Sequence, residues 1–252
     1  MPMPDYLVTP EGRRIAYART PGSEPGVVFL SGLRSDMTGT KAQALEAWAR
    51  AQGRAFLRFD YSGHGQSSGA FVDGAIGDWF ADARAAITAL TTGPQVLVGS
   101  SMGGWISLLC CRAPGARVAG LVTIAAAPDF TEDAMWQGFT PAQRAELIEA
   151  GQVALPSAYS DGPYIITRRL IEEGRGHLVL RSPLHLPFPV RLLQGTADVD
   201  VPPAAALRLL DHATGPDIRL TLVKGADHRF STPDCLALIE ATVADVLARA
   251  AA

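Results

Sequence analysis

Gly99-Ser100-Ser101-Met102-Gly103 reads G-x-S-x-G, a spacing that can make a nucleophile of an ordinary serine. The apolar run Val96-Leu97-Val98 precedes it and reads as a short buried strand, and Trp105 to Cys111 can follow as a helix. A serine on so tight a strand-to-helix turn is driven outward, and the small glycines let the turn close. The chemistry such a serine can do is attack on an acyl carbonyl, in an ester or thioester. A serine hydroxyl is a weak nucleophile, however. It needs a base within hydrogen-bond reach, and the base needs a carboxylate to orient it.

Five histidines compete for the role of base. His228 follows the strand-like run Ile218 to Val223 by the short loop Lys224-Gly225-Ala226-Asp227, which puts it at the carboxyl end of a sheet. Binding crevices of open α/β sheets lie at that edge. His64, in Gly63-His64-Gly65, is a second candidate. His212 ends a helix-like stretch, where it can complement the dipole, and His177 and His185 fall in a segment between strands. For the carboxylate, Val190 to Leu193 runs into Gln194-Gly195-Thr196-Ala197-Asp198. Asp198 is the first choice, Asp200 its rival and Asp129 a third, better suited to capping the following helix. The order Ser101, Asp198, His228 is the one that accompanies a G-x-S-x-G turn in many hydrolytic enzymes. The oxyanion that forms on attack needs donors placed in advance. The Met102 N–H, next to the serine, is one. The Leu33 N–H, from the loop after Val27 to Leu30, is the expected second.

These residues need a scaffold, and its elements are visible in the pattern. Tyr6-Leu7-Val8 and Arg14 to Arg19 read as a hairpin around Thr9-Pro10-Glu11-Gly12. Val27 to Leu30, Ala55 to Phe59, Val118 to Ala127, Val190 to Leu193 and Ile218 to Val223 read as further strands. A helix over Lys41 to Gln52 is stopped by Gly53. Phe80, Ala83, Ile87 and Leu90 mark an amphipathic helix. Thr232-Pro233 starts a last helix with Leu236, Ile239, Val243 and Val246 on one face. Alternation of this kind predicts an α/β fold: a mostly parallel eight-stranded sheet with helices on both faces.

Between Asp129 and Pro189 the alternation breaks, with no strong strand and with Met135, Trp136, Phe139, Leu147, Ile148 and Tyr164 in helix-like patches. The expected division is a core in two parts, residues 1–128 and 189–252, with a helical lid inserted over residues 129–188. Arg168 and Glu172, and Arg169 and Glu173, stand four apart there, as ion pairs on a solvated helix face or as an arginine grip on an anionic substrate group.

The 252 residues carry a net charge of −3 with dispersed charges, which argues against nucleic acid as partner. Three cysteines, two of them adjacent, make no disulfide framework, and no Cys/His spacing resembles a zinc site. Gly63-His64-Gly65 lacks the third glycine of a dinucleotide fingerprint. The expectation is therefore no cofactor, no metal and no membrane span. The opening Met1-Pro2-Met3-Pro4-Asp5 has neither a basic nor an apolar stretch of a leader, so a cytoplasmic location is expected. The partner is a substrate, either a small molecule or an acylated protein.

Over nearly its whole length the chain resembles the α/β-hydrolases. The stretches Phe29–Ala42, Arg58–Gly65, Gly99–Trp105 and Ile165–Gly174 are similar to a branch of that family containing palmitoyl-protein thioesterase and acyl-glucuronide esterase activity. The elbow is shared by many hydrolases, whereas Ser35 to Ala42 is more specific to the branch. The resemblance implies an acyl thioester or activated ester as substrate, with Ser101, Asp198 and His228 as the triad. The chain departs from the wider family at Ser31, where many members have histidine. Other chemistry on the same triad, such as carbon–carbon bond or peptide hydrolysis, and a non-catalytic ligand-binding homologue are the alternatives.

Overall fold

A computed structural model describes residues 4–156 and 162–250 of the chain. Met1 to Met3, part of the stretch read for a leader, lie outside the described residues. The chain opens with β1 (Asp5–Val8), β2 (Arg14–Thr20) and β3 (Ser23–Leu30). Then come α1 (Thr40–Ala51), β4 (Arg54–Phe59), α2 (Ile76–Leu90), β5 (Gln95–Ser100), α3 (Met102–Arg112) and β6 (Val118–Ile124). The segment after β6 carries α4 (Pro141–Ala150), β7 (Gln152–Leu155), β8 (Tyr164–Thr167), α5 (Arg168–Gly174) and β9 (Leu184–His185). The chain closes with β10 (Val190–Gly195), α6 (Pro203–His212), β11 (Ala213–Thr214), β12 (Ile218–Val223) and α7 (Pro233–Ala250).

One eight-stranded sheet runs in the order β1-β2-β4-β3-β5-β6-β10-β12. The β1–β2 and β2–β4 pairs are antiparallel and the remaining pairs parallel. Alternating side chains feed two cores, as the period of a strand requires. Val27, Phe29, Val96, Val98, Val122 and Ile124 pack on the face covered by α1 and α7. Val28, Leu30, Leu97 and Leu121 pack on the opposite face with α2 and α3, through Trp79, Ala83, Trp105 and Leu108. Burial of both faces explains why these strands are short apolar runs and not alternating ones.

Register then fixes the site. Leu30 pairs with Gly99, Ser100 with Ile124, Ile124 with Leu193 and Gly195 with Val223. The carboxyl ends of β3, β5, β6, β10 and β12 therefore finish level, and the loops after them emerge along one rim.

The segment between β6 and β10 is not purely helical. Antiparallel β7 and β8 pair from Gln152↔Thr167 to Leu155↔Tyr164, in a stretch whose sequence shows no strong strand and predicts a helical insertion. Each strand is four residues long and buries one position, Val153 and Ile166. That is too few for a period of two to show in sequence. Gly151, left-handed at φ 75°, turns the end of α4 directly into β7. Residues 131–136 form a six-residue π-helix. β6 ends at Ile124 and not at Ala127, because Ala125 takes a positive φ of 48°.

Candidate active site

Ser101 sits between β5 and α3 with φ 54° and ψ −120°, a conformation L-residues rarely adopt. Its N–H donates to Ile124 O (2.9 Å), and its carbonyl accepts from Gly104 N (2.9 Å) and Ala127 N (3.1 Å). The neighbouring glycines are required by space. A Cβ on Gly103 would lie 2.0 Å from Leu30 O, and one on Gly99 2.3 Å from Gly103 O. The turn holds together only while the strand, the loop after β3 and the helix touch backbone to backbone.

The side chains meet as the sequence anticipates. His228 Nε2 lies 3.1 Å from Ser101 Oγ, and His228 Nδ1 lies 2.9 Å from Asp198 Oδ2. Asp198 is 5% exposed and accepts four hydrogen bonds. Gln194 Nε2 (3.0 Å) and His228 reach Oδ2, while the Asp200 and Val201 N–H groups (3.0 and 2.8 Å) reach Oδ1. Burial pushes its carboxyl up, but the bonds from His228, Val201 and Gln194 outweigh burial and hold it below the usual carboxylate value. Asp198 is thus an anion at neutral pH, facing the imidazole.

The rival candidates lie elsewhere or face elsewhere. His64 is buried among Tyr61, Phe71 and Trp79, with Nδ1 on Ser62 O (3.1 Å) and its affinity for a proton lowered by burial. Asp200 borders the cavity but gives its backbone N–H to Asp198. Asp129 does not cap the helix after it. Its buried carboxylate accepts from Val179 N (2.7 Å), Leu180 N (3.0 Å) and Arg181 (3.0 Å), 50 residues on, and so clasps the far end of the inserted segment. Burial pushes that carboxyl up, against these donors. Cys110, Cys111 and Cys235 are free thiols, and burial pushes those of Cys110 and Cys111 up, away from the reactive thiolate.

A cavity of about 570 Å³ opens over Ser101. Leu33 and Met102 both line it, and among the described residues neither backbone N–H has a hydrogen-bond partner. A Cβ on Gly32 would lie 3.3 Å from Ser101 Cβ, so the loop carrying Leu33 passes directly beside the serine. Phe130, Ala134, Met135 and Tyr164 of the inserted segment, with Val201, supply an apolar wall.

Several members of the site carry no signal of their own in the sequence. Arg34, Lys41 and Arg229 form a basic rim. Arg34, at φ 56°, lies 4.8 Å from the Tyr164 ring centroid and 5.2 Å from that of Phe71. The Arg168–Glu172 pair forms (3.6 Å), but Arg169 turns from Glu173 to Asp78 (2.7 Å), and neither arginine lines the cavity. Gln194 and Asp60 act from behind. Asp60, 1% exposed, accepts from Met37 N (2.6 Å) and Gln66 N (2.8 Å), pinning the loop after β3 to the loop after β4. Gly65 is glycine because a Cβ there would meet Asp60 Oδ2 at 2.2 Å.

Asp198, Asp200 and His228 bring ligand-type atoms within 4.8 Å of one another, a grouping that could hold a cation. Asp198 already accepts four bonds and both His228 nitrogens are engaged. Few of the grouping's lone pairs are therefore left to hold a cation. Among the described residues no helix is long and apolar enough to cross a membrane.

Comparison with known proteins bears on the family and the fold. A family model described as serine aminopeptidase, S33, matches residues 23–168. The mitochondrial palmitoyl-protein thioesterase ABHD10 of Rattus norvegicus is 36% identical over 243 residues, covering 96% of this chain and 82% of the relative. A putative hydrolase from Agrobacterium vitis S4 superposes with TM-score 0.93 at 39% identity, over 98% of this chain and 100% of the other. The mouse α/β-hydrolase domain-containing protein 10 superposes with TM-score 0.90 at 35% identity, over 97% and 98%. The rat relative is mitochondrial, which overturns the expectation of a cytoplasmic protein. Unpaired cysteines report a reducing environment, not an address. The chain belongs to the α/β-hydrolases, in the branch that holds the ABHD10 thioesterases, and is a hydrolase acting on acyl esters.

Proposed function

We propose that the protein hydrolyses fatty-acyl-type thioesters or activated esters through an acyl-enzyme on Ser101. His228 Nε2 takes the hydroxyl proton as Oγ attacks the acyl carbonyl. Asp198 keeps the imidazole in the tautomer that bears Nδ1–H and offsets the positive charge it acquires. The Leu33 and Met102 N–H groups receive the oxyanion, a contribution whose loss typically costs about 10²–10³-fold in turnover per donor. The thiol or alcohol departs with the proton from His228. Water, deprotonated by the same imidazole, then releases the acid. The chain from Asp198 through His228 to Ser101, drawn from three loops at one sheet rim, is the observation that carries this reading.

Residues 129–188 act in this proposal as a cap of mixed helix and hairpin. Phe130, Ala134 and Met135 take the acyl group on their side of the cavity. A volume of about 570 Å³ falls within the ordinary range for small-molecule sites, roughly 300–1,000 Å³. The name of the rat relative supports an acylated protein as one substrate. Peptide hydrolysis, to which the description of the matched family model points, is disfavoured at the rim. Among the described residues three cationic side chains and one carboxylate, that of Asp200, line the cavity there, and a peptide α-ammonium would meet repulsion.

A panel of acyl thioesters and aryl esters of matched chain length, with peptides alongside, tests the proposal. Thioesters and aryl esters are expected to turn over, and Ser101→Ala to lose about 10⁴-fold or more in kcat while still binding substrate. Turnover of peptides alone, or near-wild-type hydrolysis by Ser101→Ala, would refute it.

A further inference from the structure

Ser35 to Ala42, the stretch most specific to this branch, supplies no group to the proposed chemistry. Its contacts give it another use. It runs between the oxyanion loop and α1, and it is tied down at both ends. At one end Met37 N donates to Asp60 Oδ1 (2.6 Å), and Met37 O accepts from Arg58 (2.7 Å), itself paired to Glu46 at 2.7 Å. At the other end Lys41 Nζ donates to the backbone carbonyl of Arg229, the residue after His228, 188 positions along the chain.

Lys41 is oddly placed for a helix residue. It lies in the first turn of α1, where the helix dipole disfavours a cation and where no acidic residue offsets it. It borders the cavity over Ser101 and a smaller one of about 200 Å³ beside it. A cation held against the dipole and largely out of water has a local cost, which the bond to Arg229 repays.

We propose that Lys41 is a positioning residue for His228: its bond to the Arg229 carbonyl fixes the histidine loop against the oxyanion loop, holding Nε2 on Ser101 Oγ. This rests on the assignment of Ser101 and His228 above. The loop it braces, residues 224–229, hangs from the edge strand β12. Gly225 N donates to Thr196 Oγ1 (2.9 Å) and Ala226 O accepts from Ala197 N (3.0 Å), so the loop after β10 holds its near side, and Asp198 holds the imidazole. A brace from α1 closes the remaining side. Lys41 thereby joins the donors of the oxyanion to the base that acts with them, two loops that share no strand.

The brace should titrate. Burial lowers the Lys41 ammonium to about 8; Asp227 opposes this, Arg229 adds to it, and Cys235 on α7 opposes it weakly. Asp36 faces the same small cavity. A charged donor holds a carbonyl about twice as strongly as a neutral one. As pH rises through about 8 the hold on Arg229 therefore weakens without being lost.

The test compares wild type, Lys41→Met and Lys41→Arg in pH profiles of kcat and KM on one acyl thioester. Fluorophosphonate labelling of Ser101 and thermal melts run in parallel. Lys41→Met should lose roughly tenfold to a hundredfold in kcat, the scale set by small misplacements of reacting groups, with KM within about twofold. Its alkaline decline should disappear, and Lys41→Arg should restore much of kcat with the decline moved to higher pH. Lys41→Met with wild-type kcat and the same alkaline limb overturns the inference. So does a rise in KM alone, which makes Lys41 a substrate contact. Should Lys41→Met fail to fold, Lys41→Arg decides: an unmoved alkaline limb rejects the brace. Failure of wild type to label at Ser101 would instead reject the underlying assignment.

Discussion

Beneath Ser101 the chain is held by hydrocarbon, whereas across the cavity the inserted segment adds a set of carboxylate ties to its share of the same apolar core. Under the elbow, Val28, Leu30, Leu97, Trp105 and Leu121 are buried in one continuous core. Val98, Val122 and Ile124 fill the other face. The insert contributes Leu147, Val153, Ile166 and Ile171 to the first of these cores. Beside that apolar packing, which includes Trp105 against the Phe130 ring (5.5 Å), the insert makes directional polar ties. Asp129 joins the two ends of the insert through Val179 and Leu180, while Asp133 holds Arg208 of α6 (2.6 Å), Arg169 holds Asp78 (2.7 Å), and Glu173 accepts from Gly77 N (3.1 Å). Trp105 joins the two regions by donating to His177 O (3.0 Å). Apolar burial is non-directional and cumulative, which suits a base that must hold three loops level. Hydrogen bonds and ion pairs are directional and individually weak, so they fix where the insert sits more than they add to its stability.

Breaking one member of each region sharpens this contrast. The largest effect should come at the rim. Asp198→Asn keeps the shape but offers the imidazole a neutral partner that can stabilise the wrong tautomer. A loss of about 10⁴-fold in kcat is expected with the melting temperature nearly unchanged. Steady-state kinetics beside calorimetry checks it; a modest loss would mean that Asp200 or water takes over.

The second break falls in the insert. Asp129→Ala strands the buried Val179 and Leu180 N–H groups and leaves Arg181 to Asp133 alone. About 3 kcal/mol of stability should go, read by urea unfolding, since each buried donor left unpaired costs about 1–3 kcal/mol. Activity of the folded fraction should fall less than in Asp198→Asn. The reverse ranking would mean that the insert, not the core, sets the catalytic geometry.

The smallest effect concerns pH. The bond to Glu173 raises the proton affinity of His177, and burial in part opposes it. A raised histidine gives stability in full below its ordinary value and loses it as pH climbs through the raised one. Amide exchange over residues 168–178, corrected for intrinsic rate, should therefore quicken as pH climbs above the ordinary histidine value of about 6.5. Unchanged protection over that range would show that the pair adds nothing to docking. The pair is partly exposed, at 27% and 28%, so the effect is small.

The same contrast governs how much could be read from the chain. The parallel strands are short apolar runs bounded by turn residues, and the level rim follows once they alternate with helices. Ser101, Asp198 and His228 could be proposed because each lies on the turn or short loop that follows such a run. The hairpin of β7 and β8 could not, since one buried residue per strand leaves no period. Nor could Lys41, Gln194 or Asp60, whose roles depend on partners in other loops that no local pattern announces. The Arg169 side chain went to Asp78 and not to Glu173, because a tertiary carboxylate 91 positions away competes with the helical neighbour. Asp129 was missed as a clasp for the same reason.

The most direct test of the account is the mass of the intact protein during turnover of a long-chain acyl thioester, quenched in acid and mapped by peptide digestion. The account predicts one transient acyl group on Ser101, absent in Ser101→Ala and longer-lived in His228→Ala if any forms there. An acyl adduct on another residue, or steady hydrolysis by Ser101→Ala with no adduct at all, would contradict it.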